Sequence, residues 1–372
     1  HDAIRKADAV DAEEMWRSLL GIAGLGKRLT DSVRKEPLPR SVAMVALRVA
    51  RESDESHREL VKLLASQAGQ PEPKIYSGTE LQQIAAQARR RGDPDRGELV
   101  YRRSEQRCIA CHSIGGAGGK VGPDMTSLGA SAPLDYLIES VLMPNRKIKE
   151  GYHAIVVLTN DGRVFTGILV RETAVEMVLR DATDKEIAIP LNSIEQRGDA
   201  GSLMPAGLLD TLPERDQLDL FCFLGQLGRP GRFDATKSKA ARAWQLLAVP
   251  DENKPLGAKA RQGDPALAWT MIPTTVAGWL PKAEVQTLAK SASKTVFAAT
   301  RFEAAKAGKI KLQTNVTSNV PVWLDGQPVQ LDSETRIAVT RGTHVLVLQV
   351  SPATLPDRFR LESSDVVFLG GW

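Results

Sequence analysis

The sequence predicts a multidomain protein of mixed α and β class, and three patterns along its 372 residues carry that expectation. Apolar residues recur at helical spacing through the first 75 positions and again on both sides of residues 153–197. Within 153–197 the period changes to that of strands broken by turn residues. From residue 231 onward, short strand-like runs dominate. The division is therefore a helical region at 1–75, a helical domain at 76–230 with a small β-barrel-like unit inserted at 153–197, and a β-sandwich at 231–372. This length accommodates two or three domains.

The helices are read from their apolar faces. Met15, Trp16, Leu19 and Leu20 form one face, and Val42, Val45, Ala46 and Val49 recur at i, i+3, i+4, i+7. Leu60, Val61 and Leu64 follow, with Pro37 and Pro39 between helices. Such helical pairs fit the end of a HEAT-like repeat array, whose units need neighbours to bury their faces; a helical cap fits as well. Gln70-Pro71-Glu72-Pro73 reads as a linker, and Thr79–Arg91 as a more polar helix. Asp93 then stands as N-cap with Pro94 at the first helical position. A helix striped by Leu134, Leu137, Ile138, Val141 and Leu142 is expected from near Ser131 to Pro144.

Strands are expected at Ala154–Thr159 and Arg163–Arg171, flanking the hairpin signal Asn160-Asp161-Gly162. Ala174–Arg180 and Lys185–Ile189 add two more, in a four- or five-stranded unit. The pattern resembles an Sm-like or SH3-like small barrel, with a plain meander as the alternative. Helix returns at Thr211-Leu212-Pro213-Glu214, a capping-box start, and runs through Leu218, Phe221, Cys222, Leu224 and Leu227 to Gly228. After the linker Gly228-Arg229-Pro230-Gly231, strand candidates are Val296–Thr300, Lys309–Thr314, Val320–Leu324, Arg336–Val339, His344–Val350, Arg358–Glu362 and Val366–Leu369.

Charge is uneven. Residues 93–230 carry 15 basic and 20 acidic groups, against 16 and 13 before them and 18 and 12 after. An acidic middle segment steers a basic partner, or is an ordinary solvated surface. No basic stripe with interleaved aromatics is present, so nucleic acid is not expected as a partner. No apolar run approaches the roughly 20 residues of a membrane-spanning helix.

The chemistry concentrates in Cys108-Ile109-Ala110-Cys111-His112, the attachment signature of c-type haem. Two thiols three positions apart on a helical turn bond the two vinyl groups of one porphyrin, and the adjacent imidazole reaches the iron. Zinc is one rival, but needs four ligands, usually with a second Cys/His pair. The remaining cysteine, Cys222, sits in an apolar helix and reads as a buried small hydrophobe. A redox dithiol is the other rival, although the motif is not preceded by the strand of a βαβ unit. His112 is the expected proximal ligand, with the Pro123 carbonyl fixing its tautomer. His153 is the other histidine of this region. Met204, in Ser-x-Met-Pro before the closing helix, is the expected second axial ligand, with a core methionine as its alternative. The 92 positions separating His112 from Met204 (204 − 112) exceed a compact cytochrome, and the inserted strands account for about half. Met125 and Met143 read as core or haem-wall residues. Arg146 pairs with a haem propionate or caps the helix ending at Pro144.

On these residues the segment 93–230 resembles the haem-binding cytochrome c domain of large multidomain proteins in planctomycetes and related bacteria. The matching elements are Gly97 with Tyr101, Cys108–His112, Gly122-Pro123-Asp124, Tyr136-Leu137, Pro144-Asn145-Arg146 and Tyr152 at the start of the strands. Asp161-Gly162, Gly167 and Ser202-Leu203-Met204-Pro205-Ala206-Gly207-Leu208-Leu209 continue the match. Met125 replaces the usual leucine after Gly-Pro-Asp. In that family the domain often follows helical repeats and a dehydrogenase-like β-propeller that is thought to pass it electrons. Ala268-Trp269-Thr270, Val276–Pro281 and Val322–Gly326 resemble, more weakly, a β-sandwich of carbohydrate-module character. Trp269, Trp279 and Trp323 would stack on sugars or pack the core.

The expected function is thus that of a periplasmic or otherwise extracytoplasmic c-type cytochrome module, carrying single electrons on one covalently attached haem c and not itself an enzyme. Its partner is a redox protein or a dehydrogenase domain. A peroxidase-like haem enzyme and a carbohydrate-attachment protein are the alternatives, and pairing of two chains through residues 153–197 is a further candidate. Because haem attachment implies export, a chain beginning at His1 reads as processed, or as the C-terminal part of a longer protein.

Overall fold

Local capping decides where the helices of the first half begin. The computed structural model describes residues 9–371 apart from 23, 52–56, 70–75, 104, 237–238, 251–252, 291–294, 317–319 and 351–354. The expected linker at Gln70–Pro73 and the first residue, His1, lie outside the described residues. Helices α1 (Ala9–Leu20), α2 (Leu25–Lys35), α3 (Arg40–Arg51) and α4 (Arg58–Ala68) bury Trp16, Val33, Ala46, Leu60 and Leu64 in one core. Helix α5 (Gly78–Arg91) starts at a full capping box, in which the Ser77 side chain and Glu80 satisfy each other's backbone N–H. Helix α6 (Pro94–Tyr101) starts as its sequence predicts, with Asp93 accepting from the Asp95 and Arg96 amides.

The chain forms two compact units of mixed helix and sheet. The first comprises His1–His112, Gly119–Pro123 and Ala132–Gly225. In it α6 crosses α10 (Glu214–Gln226), and the crossing depends on Gly97. A Cβ there would lie 2.0 Å from the Asp219 carbonyl oxygen and 2.6 Å from the Phe223 Cβ. Tyr101 and Phe223 rings then meet at 5.6 Å. Asp219 is fully buried, and its carboxylate accepts from Arg96 Nε at 2.7 Å and from the Asp93 amide at 2.6 Å. The helix expected from near Ser131 to Pro144 is α9 (Leu134–Leu142), with Pro133 as N-cap; the single turn α8 (Leu128–Ser131) belongs to the second unit. Pro133 explains the start of α9, since its ring disfavours helix in the residue before it.

Five antiparallel strands fill the insertion: β3 (His153–Thr159), β4 (Val164–Glu172), β5 (Glu176–Arg180), β6 (Glu186–Pro190) and β7 (Ile194–Ser202), after the two-residue pair β1 (Ser113–Ile114) and β2 (Ala117–Gly118). Their order is β6-β5-β4-β3-β7, so the last strand returns to the free edge of the first. Strand β7 extends the sheet past residue 197 to Ser202 and was not separately expected; its sequence, Glu195 to Asp199, is polar enough to read as a loop. It is a strand because β3 offers it an unpaired edge.

The second unit comprises Ser113–Gly118, Asp124–Ser131 and Gln226–Trp372. Its largest sheet runs β14 (Gln327–Val329), β13 (Val322–Leu324), β16 (Gly342–Val350), β11 (Thr295–Ala304), β8 (Ala243–Val249), β9 (Thr270–Pro273). A three-stranded sheet of β15 (Glu334–Val339), β12 (Gly308–Thr314) and β18 (Leu361–Glu362) shares a core with it, and β10 (Leu280–Pro281) pairs with β17 (Arg358–Phe359). Strand β11 shows why: Val296, Ala298 and Phe302 enter that shared core, while Phe297 and Ala299 enter a second cluster on the opposite face. Helix α11 (Lys254–Arg261) covers the second face, capped by the Asn253 side chain on the Leu256 amide at 3.1 Å. Helices α11 and α12 (Lys282–Lys290) are additions to the all-strand expectation. Among the described residues, no helix is long and apolar enough to cross a membrane.

His344, buried beneath Phe302, bonds Asp325 Oδ2 through Nδ1 at 2.6 Å and the Thr340 carbonyl through Nε2 at 2.9 Å. Both partners are acceptors, so both ring nitrogens donate and the ring is an imidazolium. Burial opposes that charge, but the Asp325 and Thr340 bonds outweigh it and hold the pKa above the ordinary 6.5. The stabilisation is complete below the ordinary pKa and is lost as pH rises through the raised folded value.

Two outcomes are expected. Gly97→Ala destabilises the first unit by about 3 kcal/mol or more, because a rigid carbonyl occupies the space; urea denaturation measures it. The thermal midpoint of the second unit falls on raising the pH through neutrality, and His344→Gln flattens that dependence in a calorimetric pH series.

Candidate haem-attachment site

The motif is a turn of backbone folded over by the loop that follows it. Arg107 takes a left-handed conformation (φ 53°) and opens α7, the single turn Cys108–Cys111. Residues three apart on such a turn share one side, which places both thiols together, and neither is in a disulfide. His112 leaves the helix in extended backbone, its amide closing the turn on the Cys108 carbonyl at 2.9 Å.

The loop then returns. Gly119 donates to the Ile109 carbonyl at 3.0 Å and Gly122 to the Cys111 carbonyl at 2.8 Å. This close return needs glycine. A Cβ on Gly119 would lie 1.8 Å from the Ala110 carbonyl oxygen, and one on Gly122 would lie 2.3 Å from His112 Cε1. The loop thereby brings the Pro123 carbonyl to 2.9 Å from His112 Nδ1. A carbonyl only accepts, so Nδ1 carries the proton and Nε2 is the nitrogen that a metal would take. Tyr101, at the end of α6, donates its hydroxyl to the His112 carbonyl at 2.9 Å.

Met204 arrives from the other side of the sequence. Its neighbour Leu203 is buried in one cluster with Val121, Ala154, Ile168 and Ala200, against which Cys111, Tyr152 and Val156 pack. The fold therefore draws the Ser202–Pro205 loop, the inserted sheet and the motif to one place. Met204 is partly buried, and its amide donates to Ser202 Oγ at 3.1 Å.

Arg146 pairs with Glu139 at 3.1 Å and donates to the Tyr76 carbonyl at 3.1 Å, and Lys147 reaches the same Glu139 carboxylate at 2.8 Å. Met143 Sδ accepts from the Tyr76 amide at 3.3 Å. His153 is exposed, 3.8 Å from Asp199. Met125 is buried in the second unit. In that unit Trp269 donates to the Asp264 carbonyl at 2.8 Å, Trp323 lies against Phe297 and Arg261, and Trp279 lies under Arg358 and Arg360.

Two thiols on one turn and an oriented imidazole are a donor set that fits a covalently held haem. A porphyrin supplies four nitrogens itself, so the protein needs two thiols and an oriented imidazole, all of which are here. A zinc ion needs its ligands from the protein, and among the described residues no three His, Cys, Asp or Glu side chains form a metal-holding group. Burial pushes the Cys108 thiol up to about 12. A reactive dithiol needs the opposite shift, towards thiolate. No protein family matches the chain, and no curated protein does.

Sequence reasoning missed three contributors. Arg180 and Asp184 hold the backbone of Lys120 in the return loop, and Asn145 holds Ser202. Only Asn145 stands in a stretch that had been singled out, Pro144-Asn145-Arg146.

Gly122→Ala is expected to push the His112 ring off the Pro123 carbonyl. In nitrogen-15 NMR the uniform Nδ1–H signal of the wild type gives way to a mixture of tautomers, whereas Pro123→Ala, which keeps the carbonyl, leaves it in place.

Proposed function

We propose that this chain is a c-type cytochrome module for one-electron transfer, with a single haem c bound covalently through Cys108 and Cys111. The observation that carries the reading is the His112 Nδ1 to Pro123 carbonyl bond at 2.9 Å, beside two thiols on one helical turn. That arrangement fixes the tautomer and raises the basicity of a metal-binding imidazole. In this reading the helices around the motif form a cytochrome c domain at 76–230, the inserted strands are a small barrel-like unit, and residues 231–372 are a β-sandwich.

When bound, haem supplies an iron that gains and loses one electron. The chain's own residues do the rest. His112 would hold the metal through Nε2, in the orientation that the Pro123 carbonyl sets. Met204 is the residue assigned as the second protein ligand, and its thioether would raise the reduction potential and keep small oxidants out. Gly119 and Gly122 let backbone close over the motif. Arg146 would have to leave Glu139 to serve a propionate, so the reading does not depend on it. The electron donor is read as a dehydrogenase domain or a separate redox protein, with the acidic balance of residues 93–230 favouring a basic docking face. Covalent haem implies an extracytoplasmic location. Trp269, Trp279 and Trp323 are each engaged by protein groups, so the reading does not extend to sugar binding.

The test is spectroscopic. Exported, haem-loaded protein should show the weak far-red band of ferric haem bound by thioether sulfur, and should bind carbon monoxide slowly when reduced. Met204→Ala should abolish the band, lower the potential and speed carbon monoxide binding. A wild-type protein that binds carbon monoxide rapidly or turns over peroxide would overturn the carrier reading in favour of an enzyme.

A further inference from the structure

We propose that the inserted five-stranded sheet is the positioning frame for both axial ligands, gripping the His112 loop with one hairpin and delivering Met204 from its last strand. The proposal rests on the haem reading above and gives the insertion its role within it.

The proximal grip is built on the β5–β6 hairpin. Arg180 Nη1 donates to the Lys120 carbonyl at 3.3 Å, and Asp184 Oδ2 accepts from the Lys120 amide at 3.1 Å. One hairpin thus takes both backbone groups of a single loop residue. The grip is itself braced: Arg180 Nε lies 3.3 Å from Asp184 Oδ1, and Arg180 Nη2 lies 2.5 Å from Glu186 Oε1. Asp184 is left-handed (φ 66°), a conformation that Asp adopts readily and β-branched residues do not. The three residues after Lys120 are Val121, buried against the sheet, Gly122, against the His112 ring, and Pro123, whose carbonyl holds Nδ1. Moving Lys120 therefore moves the acceptor of the proximal histidine.

The distal delivery is built on β7. Ser202 pairs with His153 at the end of β3, and the strand turns there through Gly201 (φ 75°). Asp199 Oδ1 accepts from the Gly201 amide at 2.8 Å, Asn145 Oδ1 accepts from the Ser202 amide at 2.8 Å, and Ser202 Oγ accepts from the Met204 amide. This short relay ends at the residue assigned to the iron. Ala154 and Ile168 of the same sheet share a cluster with Val121 and Leu203. The separation of the two ligand loops is thereby set by strand pairing within the protein, which pre-organises the site before metal is considered. Asn145, Ser202, Arg180 and Asp184 act through other residues and are positioning residues.

The experiment uses the full exported chain loaded with haem. Asn145 is exposed, so Asn145→Ala should fold with an unchanged circular dichroism spectrum. It and Ser202→Ala should weaken the far-red sulfur band and speed carbon monoxide binding at least tenfold, while Asn145→Asp, which keeps the acceptor, restores both. The pair Arg180→Leu with Asp184→Gly, chosen because glycine tolerates φ 66°, should shift the reduction potential and the paramagnetically shifted His112 ring protons. If Met204→Ala removes the band but Asn145→Ala, Ser202→Ala and the Arg180→Leu/Asp184→Gly pair all match wild type in band, potential and binding rate, the frame is wrong and the haem reading survives. If Met204→Ala changes nothing, the axial assignment falls and the distal half of the frame falls with it.

Discussion

The imidazole of His112 lying against the Pro123 carbonyl is the contact on which the site depends, and several other features exist so that it can form. The loop must fold back tightly, so residues 119 and 122 cannot carry a Cβ. The motif turn must be fixed in place, which Tyr101 does from the end of α6. Helix α6 must in turn lie close against α10, which Gly97 permits and the Arg96–Asp219 pair locks. Each step is a steric or hydrogen-bonding requirement on one or two named residues.

Buried charge supports this scaffold with a defined pH behaviour. Burial alone would raise the Asp219 pKa, but the Arg96 bond and the Asp93 amide prevail and hold it below the ordinary carboxylate value. Its contribution is therefore present above the unfolded carboxyl range and fades as acid takes the pH down through the folded value. His344 in the second unit has the opposite sign. One unit thus has a charge pair that loosens as the pH falls, and the other has one that loosens as the pH rises.

What could be read in the sequence was whatever a few neighbouring residues decide. Asp93-Pro94 set the start of α6, Asn160-Asp161-Gly162 set a hairpin, and Cys108 to His112 with Pro123 eleven residues later set the core of the candidate site. Strand β8 escaped because its run, Ala243 to Val249, is buried on both faces and lacks alternation. Strand β7 escaped for the reverse reason: it is polar along most of its length, and only a partner edge makes it a strand. Helix α11 was hidden in a region whose other elements are strands, its signal reduced to Asn253 and Pro255. The Arg180–Asp184 grip and the Asn145 anchor span 60, 64 and 57 positions of chain, so no local pattern announces them.

The account attributes these constraints to a single porphyrin joined to two sulfurs. Intact mass and peptide mapping of protein exported alongside haem-attachment machinery address that claim directly. It predicts a mass increase of one haem, retained under denaturing conditions and mapped to the peptide holding Cys108 and Cys111. Exported protein carrying no added tetrapyrrole, with both thiols open to alkylation, would contradict it.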